Sequence, residues 1–309
     1  AGAPECFEAH PGRAAVAALA YWGALGRALA TRLSAAAAAE VESHWLVPSA
    51  AAVVALGHRG LHRAHAHSGD VALLERLPGG AALARWLLRS GLTPVFASTD
   101  LRTRFATLVA DRALQSIIFA AEVRPARSPL LDRLERAPRM RSAARGAAIA
   151  LAIGRLVPIK GHDRLVRAVG GMAPALRPEL VILGAGPEAE RLRQQAATLG
   201  VKLTLPGEVT PEEVQAWFAR ATLFVHAARR LDSGRTEGAP VALQEARAVG
   251  LPIIAIATGG IAELLAGATN SEIRLLPDGD DAAVVAELRS VLAALFAATR
   301  LHAPIPVSP

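Results

Sequence analysis

From residue 147 onward the chain repeats one pattern: a short apolar run, a loop, then an amphipathic helix. The runs are Ala147–Ile153, Leu180–Leu183, Lys202–Leu205, Leu223–His226, Pro252–Ala257 and Ile273–Leu276. Helical periodicity fills the stretches between them: His162–Val169, Glu188–Leu199, Pro211–Arg220, Pro240–Val249, a short helix after Gly259-Gly260, and a closing helix over Asp281–Ala298. Strands that are apolar almost throughout must be covered on both faces. Helices alternating with such strands supply that cover, so the pattern predicts an α/β fold with a parallel sheet. In such a sheet ligands bind beyond the carboxyl ends of the strands.

The first half is less regular. Residues 1–45 are Ala-rich and helical in period, and Pro48–Leu56 reads as another helix. Arg63–His67 and Pro94–Ala97 read as strands, Ala81–Arg89 and Asp100–Leu108 as helices. Residues 121–145, with Pro125, Pro129 and Pro138, read as a linker. A chain of 309 residues suits two domains, placed at 1–143 and 144–309. There is no internal repeat.

Composition narrows the class. With 52% hydrophobic residues there is material for sizeable cores, yet charges such as Arg27 break every long apolar stretch, so no membrane span is expected. One cysteine, Cys6, cannot form an internal disulfide, and no signal peptide is apparent; both point to the cytoplasm. The net charge of +7 suits an anionic small molecule or peripheral contact with a membrane face. Only 4% of residues are aromatic and the basic residues are spread along the chain, so nucleic acid is not expected as a partner. The two lysines are Lys160 and Lys202; all other basic side chains that carry a full charge are arginines.

Four segments carry candidate chemistry. Gly154-Arg155-Leu156-Val157-Pro158-Ile159-Lys160-Gly161 follows a strand and offers a guanidinium fork and an ammonium, a pair suited to a diphosphate; an ordinary solvated loop is the plainer reading. Gly184-Ala185-Gly186-Pro187-Glu188-Ala189 fits a relaxed dinucleotide fingerprint, with Glu208 downstream for a ribose, or else a tight turn with close strand–helix packing. In Glu237-Gly238-Ala239-Pro240, Pro240 suits the first helical position, so the amides of Gly238 and Ala239 would face an anion from a helix N-terminus. Glu245, inside that helix among Ala242, Leu243 and Ala246, can accept two hydrogen bonds from a ribose diol. Finally, His65-Ala66-His67-Ser68-Gly69-Asp70 ends a strand. Two histidines without a third ligand point away from metal, leaving a single His toward a cleft or a structural role. Asp278-Gly279-Asp280-Asp281 reads as a turn and helix cap.

Together these segments resemble the family 4 glycosyltransferases. Gly154-Arg155 with Lys160-Gly161-His162, the strand Leu180–Leu183 with Gly184-Ala185-Gly186-Pro187-Glu188, Gly207-Glu208-Val209, the Glu237/Glu245 pair at Glu-x7-Glu spacing, and Ala257-Thr258-Gly259-Gly260-Ile261-Ala262-Glu263 follow the family's order. His44-Trp45, His67-Ser68-Gly69-Asp70 and Ser98-Thr99-Asp100-Leu101-Arg102 are similar to its N-terminal landmarks, and Asp232–Gly238 resembles exopolysaccharide-type members. The resemblance implies a GT-B fold, two Rossmann-like domains facing a cleft. It implies a UDP- or GDP-sugar donor, retention at the anomeric carbon, no cofactor and no essential metal. It assigns Arg155 and Lys160 to the diphosphate, Glu245 to the ribose, Glu208 and Val209 to the base, and Glu237 to the transferred sugar. Gly184, Gly186, Gly238 and Ala239 line the donor, and His67 faces the donor sugar or acceptor.

The acceptor would be a sugar or lipid-linked glycan in cell-surface polysaccharide or glycoconjugate synthesis. The family's opening strand and Gly-rich loop, and its Gly-Val-Asp turn, are not found before or after Ser116. An incomplete N-terminal domain is therefore expected, and a non-catalytic nucleotide-sugar binder or fragment stands as the alternative. An NAD-dependent dehydrogenase using the Gly184 turn leaves Arg155, Lys160 and the glutamate pair without a purpose.

Overall fold

In a computed structural model of the protein, residues 11–35, 40–136, 148–266 and 273–301 are described. The chain divides into two compact units, Ala1–Ala126 with Asp232–Ala239, and Arg127–Leu231 with Pro240–Pro309. The division thus falls before Arg127, not at 143, and the second unit lends a short segment to the first.

The first unit contains α1 (Pro11–Ala35), β1 (Val41–His44), α2 (Ala51–Ala55), β2 (His62–Ala66), α3 (Ser68–Arg76), α4 (Gly80–Arg89), β3 (Thr93–Phe96), α5 (Thr99–Val109) and α6 (Arg112–Ala120). Its three strands are parallel in the order β1-β2-β3. Strand β1 lies inside the stretch expected to be helical. At this sheet edge only Ser43 of its four residues is buried, so it lacks the apolar alternation that marks a half-buried strand. Helix α6 was likewise not anticipated, although Asp111 caps it by accepting from the Ala113 amide at 3.0 Å. Leu46, Val71, Leu87, Phe96, Leu101 and Phe105 centre the core.

The second unit contains α7 (Pro129–Arg136), β4 (Ile149–Ile153), α8 (His162–Gly170), β5 (Glu179–Leu183), α9 (Ala189–Leu199), β6 (Leu203–Gly207), α10 (Pro211–Arg220), β7 (Leu223–His226), α11 (Val241–Val249), β8 (Ile253–Ala257), α12 (Ile261–Leu265), β9 (Ile273–Pro277) and α13 (Asp281–Leu301). All six strands are parallel, in the order β6-β5-β4-β7-β8-β9. The order reverses between β4 and β7, the arrangement of a dinucleotide-type doubly wound sheet.

Alternate strand residues feed two cores. Ala150, Ala152, Leu180 and Ile182 pack with α8, α9 and α13. Ile149, Leu151, Val181, Leu183 and Phe224 pack with α7, α10, α11 and α12. Burying one large apolar side chain such as Phe224 stabilises the unit by about 1.5–3 kcal/mol. Helix α7 occupies part of the stretch read as a linker, 121–145; its residues 137–145 lie outside the described residues. Ser128-Pro129 starts the helix as cap and first residue, and Leu130 and Leu134 anchor it in the core.

Polar groups close the carboxyl edge. Buried Arg164 on α8 donates to Asp281 at 2.6 Å, to Asp278 at 3.3 Å and to the Ala228 carbonyl at 3.2 Å. Asp280 accepts from the Ala282 and Ala283 amides, both at 3.1 Å, so the acidic run is a turn and a cap for α13. Removing buried Arg164 takes an ion-pair partner from Asp278 and one from Asp281, which keeps Arg167. Arg164→Leu is expected to lower unfolding free energy by about 2–4 kcal/mol, read as a lower denaturant midpoint.

Candidate functional site

The loop after β4 and the turn after β5 lie backbone against backbone. Leu156 N–H donates to the Ala185 carbonyl at 2.9 Å, and Glu188 N–H donates to the Leu156 carbonyl at 3.1 Å. A Cβ at Gly184 would sit 2.2 Å from the Gly154 carbonyl oxygen, and one at Gly186 would sit 2.3 Å from the Leu156 oxygen. Both glycines are thus demanded by the neighbouring loop, and Gly184 also has φ of +135°. The turn follows the second strand of its domain, not the first, and its tight-packing reading accounts for its composition.

Beside this junction is an open pocket of about 370 Å³ lined by Ile153, Gly154, Arg155, Leu183, Gly184, Ala185, Glu208, Val209 and Val214. It sits at the carboxyl ends of β4, β5 and β6, as the parallel sheet requires. Arg155 and Glu208 are exposed on its wall and Val209 is half-buried. The structure therefore brings four of the expected residues together here: Arg155, Gly184, Glu208 and Val209. Gly186 stands behind the wall, against Leu156.

Lys160 is held close to the same loop. Its aliphatic stem runs about the Gly154 α-carbon, where a Cβ would meet Lys160 Cδ and Cε at 3.2 Å. Gly161, with φ of +64°, turns the chain into α8, and a Cβ there would lie 1.9 Å from the Ala227 carbonyl oxygen beyond β7. Arg229 N–H donates to the Ile159 carbonyl at 3.0 Å, tying the β7 loop to the Lys160 turn. The next residue, His162, is buried, and hydrogen bonds with the backbone of Arg155 and Gly154 reach it. Burial, then the Lys160 charge, pushes its pKa down to about 4, those backbone hydrogen bonds opposing.

Glu245 is 7% exposed on α11, so the expectation of a non-solvated face holds. Its Oε1 accepts from the Ser128 hydroxyl at 2.5 Å. Burial raises its pKa and the Ser128 hydrogen bond lowers it, with the rise prevailing. Pro240 is not the first helical residue: with ψ of 122° it caps α11, which starts at Val241. Gly238 and Ala239 precede the cap, so the unpaired amides at this helix end are those of Val241 and its successors, not theirs.

Glu237, Gly238 and Ala239 belong to the segment that groups with the first unit. There Arg104 of α5 donates to Thr236 Oγ1 at 3.1 Å and pairs with Glu75, and a Cβ at Gly238 would meet Leu101 Cδ1 at 3.3 Å. Glu237 itself is half-buried. Nothing in the sequence marked Arg104 or Thr236, because their partner lies 132 positions away.

At the carboxyl edge of the first unit's sheet, His67 is one of three neighbouring imidazoles. His44 stacks on His65 at 4.5 Å, and His44 Nδ1 lies 3.4 Å from His67 Nε2. His65 Nε2 meets Glu42 Oε1 at 2.5 Å. Burial, then the charges of His44 and His65, lowers the His67 pKa to about 4, so its ring is neutral at pH 7. Buried Asp70 holds the edge, accepting from the Leu46 amide at 2.5 Å and the His67 amide at 2.7 Å. Trp45, at φ of +80°, is kept in that strained geometry partly by donating its N–H to the His65 carbonyl at 2.9 Å. Among the described residues, no group of three or more His, Cys, Asp or Glu could hold a metal ion.

The second unit is thus a doubly wound α/β sheet with an open, glycine-lined pocket beyond the carboxyl ends of β4, β5 and β6, where sheets of this kind take their ligands. The family described as Glycosyl transferases group 1 matches residues 137–294, and the chain belongs to it. A GDP-mannose-dependent alpha-(1-6)-phosphatidylinositol monomannoside mannosyltransferase of Mycobacterium tuberculosis is 34% identical over 177 residues, 54% of this chain and 44% of that protein. The putative colanic acid biosynthesis glycosyltransferase WcaL of Salmonella typhimurium is 32% identical over 141 residues, 45% of this chain and 34% of that one. The chain thus spans less than half the length of these curated relatives. An α,α-trehalose-phosphate synthase (UDP-forming) from Burkholderia vietnamiensis shares the fold, with a TM-score of 0.61 and 15% identity over 91% of this chain and 73% of that one. The fold is GT-B, as the resemblance implied.

The buried groups have a pH signature. The lowered pKa of His162 means its neutral form stabilises the fold above pH 6.5, a contribution lost as pH falls through about 4. Asp281, pushed up by partial burial but held at about 2 by Arg164 and Arg167, contributes above pH 3.8 and loses it toward pH 2. Thermal unfolding followed by circular dichroism is expected to lose stability in both windows, and His162→Gln to flatten the upper one by roughly 2–3 kcal/mol.

Proposed function

We propose that the protein is a hexosyltransferase that moves a sugar from a nucleoside-diphosphate sugar to a sugar or lipid-linked acceptor in cell-surface polysaccharide or glycoconjugate synthesis. The observation that carries this reading is the pocket at the carboxyl ends of β4–β6, with Arg155 on its wall and Lys160 beside the same loop, inside the stretch that matches the family. The mannosyltransferase relative makes GDP-mannose the first donor to test, and a UDP-sugar is the second, the trehalose-phosphate synthase of like fold being UDP-forming.

In this reading the base enters between Glu208 and Val209, and Glu245 takes the ribose diol. Arg155 and Lys160 stabilise the charge that grows on the leaving diphosphate. Glu237 accepts hydroxyls of the transferred sugar, and neutral His67 offers a hydrogen bond rather than a proton. No side chain among these is a poised nucleophile. We therefore favour displacement on one face. The bond from the anomeric carbon to the diphosphate breaks, the acceptor oxygen bonds that carbon from the same side, and the leaving phosphate takes the acceptor's proton. The anomeric configuration is retained with no cofactor and no essential metal. Work at the cytoplasmic face of a membrane fits a lipid-linked acceptor; among the described residues no helix is long and apolar enough to cross one.

Calorimetry with GDP, UDP and NADH tests the donor site. GDP or UDP is expected to bind, and Arg155→Ala or Lys160→Ala to weaken binding about ten- to a hundredfold each through lost charge-assisted hydrogen bonds. Binding of NADH alone would overturn the reading. Turnover of GDP-mannose with candidate acceptors separates transfer from mere binding, and a sugar trapped covalently on Glu237 would exclude the one-face displacement.

A further inference from the structure

Ser128 precedes α7, in a stretch whose sequence suggested only a linker. Its hydroxyl makes two hydrogen bonds of opposite sense. The Leu131 amide donates to Ser128 Oγ at 2.9 Å, the usual cap of a helix N-terminus. Ser128 Oγ in turn lies 2.5 Å from Glu245 Oε1. An amide can only donate and a carboxylate only accept, so the hydroxyl proton has one place to go: toward Glu245. The pair is well sheltered, since Glu245 is buried and α7 packs through Leu130 and Leu134 against Leu243 and Ala246 of α11.

We propose that Ser128 is a positioning residue for nucleotide binding, which fixes one oxygen of Glu245 so that the carboxylate is set to receive the ribose hydroxyls, and thereby sets the preference for ribo- over deoxyribonucleotides. The inference rests on the reading of Glu245 as the ribose acceptor. Two features support it beyond the distance. The donor is preorganised, because the rigid start of a packed helix holds it. It also counters desolvation: burial raises the Glu245 pKa, and the Ser128 hydrogen bond works against that rise. Without Ser128 the carboxylate keeps its place on α11 but loses both the fixed rotamer and the stabilised charge.

The test is calorimetry on the full chain with GDP and 2′-deoxy-GDP, repeated with UDP and 2′-deoxy-UDP. The wild-type protein is expected to favour the ribo form about tenfold or more, as one hydrogen bond to a charged group allows. Glu245→Gln should collapse that ratio, weakening the ribo form more than the deoxy form, which has only its 3′-hydroxyl to offer the carboxylate. Ser128→Ala should cut the ratio about three- to tenfold, again at the expense of the ribo form, while Ser128→Thr, which keeps the hydroxyl, retains it. If the lost cap unfolds Ser128→Ala, Ser128→Gly serves, because glycine is tolerated at a cap and still deletes the donor. A ratio that survives in Ser128→Gly or Ser128→Ala but collapses in Glu245→Gln overturns the role of Ser128 and leaves the ribose reading standing. A ratio that survives in Glu245→Gln overturns both.

Discussion

The site depends on how closely two pieces of backbone approach. The loop leaving β4 and the turn leaving β5 meet with carbonyls where side chains would otherwise be, at Gly184 and Gly186. That approach removes side-chain bulk beyond β4 and β5 and leaves a pocket walled by main chain together with Arg155, Glu208, Val209 and Val214. A second approach, of Gly161 to the Ala227 carbonyl, sets the Lys160 turn against the end of β7. Glycines here serve packing first. Any contact with a ligand follows from the geometry that the packing creates.

This explains which parts were legible in sequence. The six strands and most helices of the second unit follow from apolar runs and helical periodicity, because each buries a face and must show it in composition. The pocket residues Arg155, Gly184 and Glu208 were legible in or after glycine-bearing turns at strand ends, and Val209 through the family resemblance. Strand β1 was not, since an edge strand of mixed exposure has no apolar alternation to display. The Ser128–Glu245 bond spans 117 positions and the Arg104–Thr236 bond 132, and such pairings leave no local pattern. The start of α7 did leave one: a Ser-Pro pair followed by Leu130, Leu131 and Leu134, masked by the surrounding prolines and arginines. Pro240 misled for a narrower reason. Its fixed φ fits both a cap and a first helical residue, and only ψ tells them apart.

The charge of the chain also reads differently once paired. A net charge of +7 suggests a basic surface, yet many arginines are used internally. Arg164 is buried and ligated by Asp278, Asp281 and a carbonyl. Arg229 pairs with Asp163 at 2.5 Å, and Arg167 pairs with Asp163 and Asp281. These bonds join the start of α8, the loop after β7 and the start of α13 in one network at the carboxyl edge. Their role is to brace the loops, since a buried ion cluster gains little net stability over a well-packed apolar one but is costly to leave half-made.

Division of labour among the basic residues follows from this bracing. An arginine whose donors are engaged by three protein acceptors has few left for a diphosphate, so Arg164 cannot exchange roles with Arg155. Arg155 stands exposed on the pocket wall, on a loop whose backbone is fastened on one side by Ala185 and whose end is fastened by Gly161 and Arg229. Arg164 is buried and braces the loops, whereas Arg155 is exposed on the pocket wall. A guanidinium held this way is preorganised: its loop is already fixed before a ligand arrives, so less conformational entropy is lost when the anion binds.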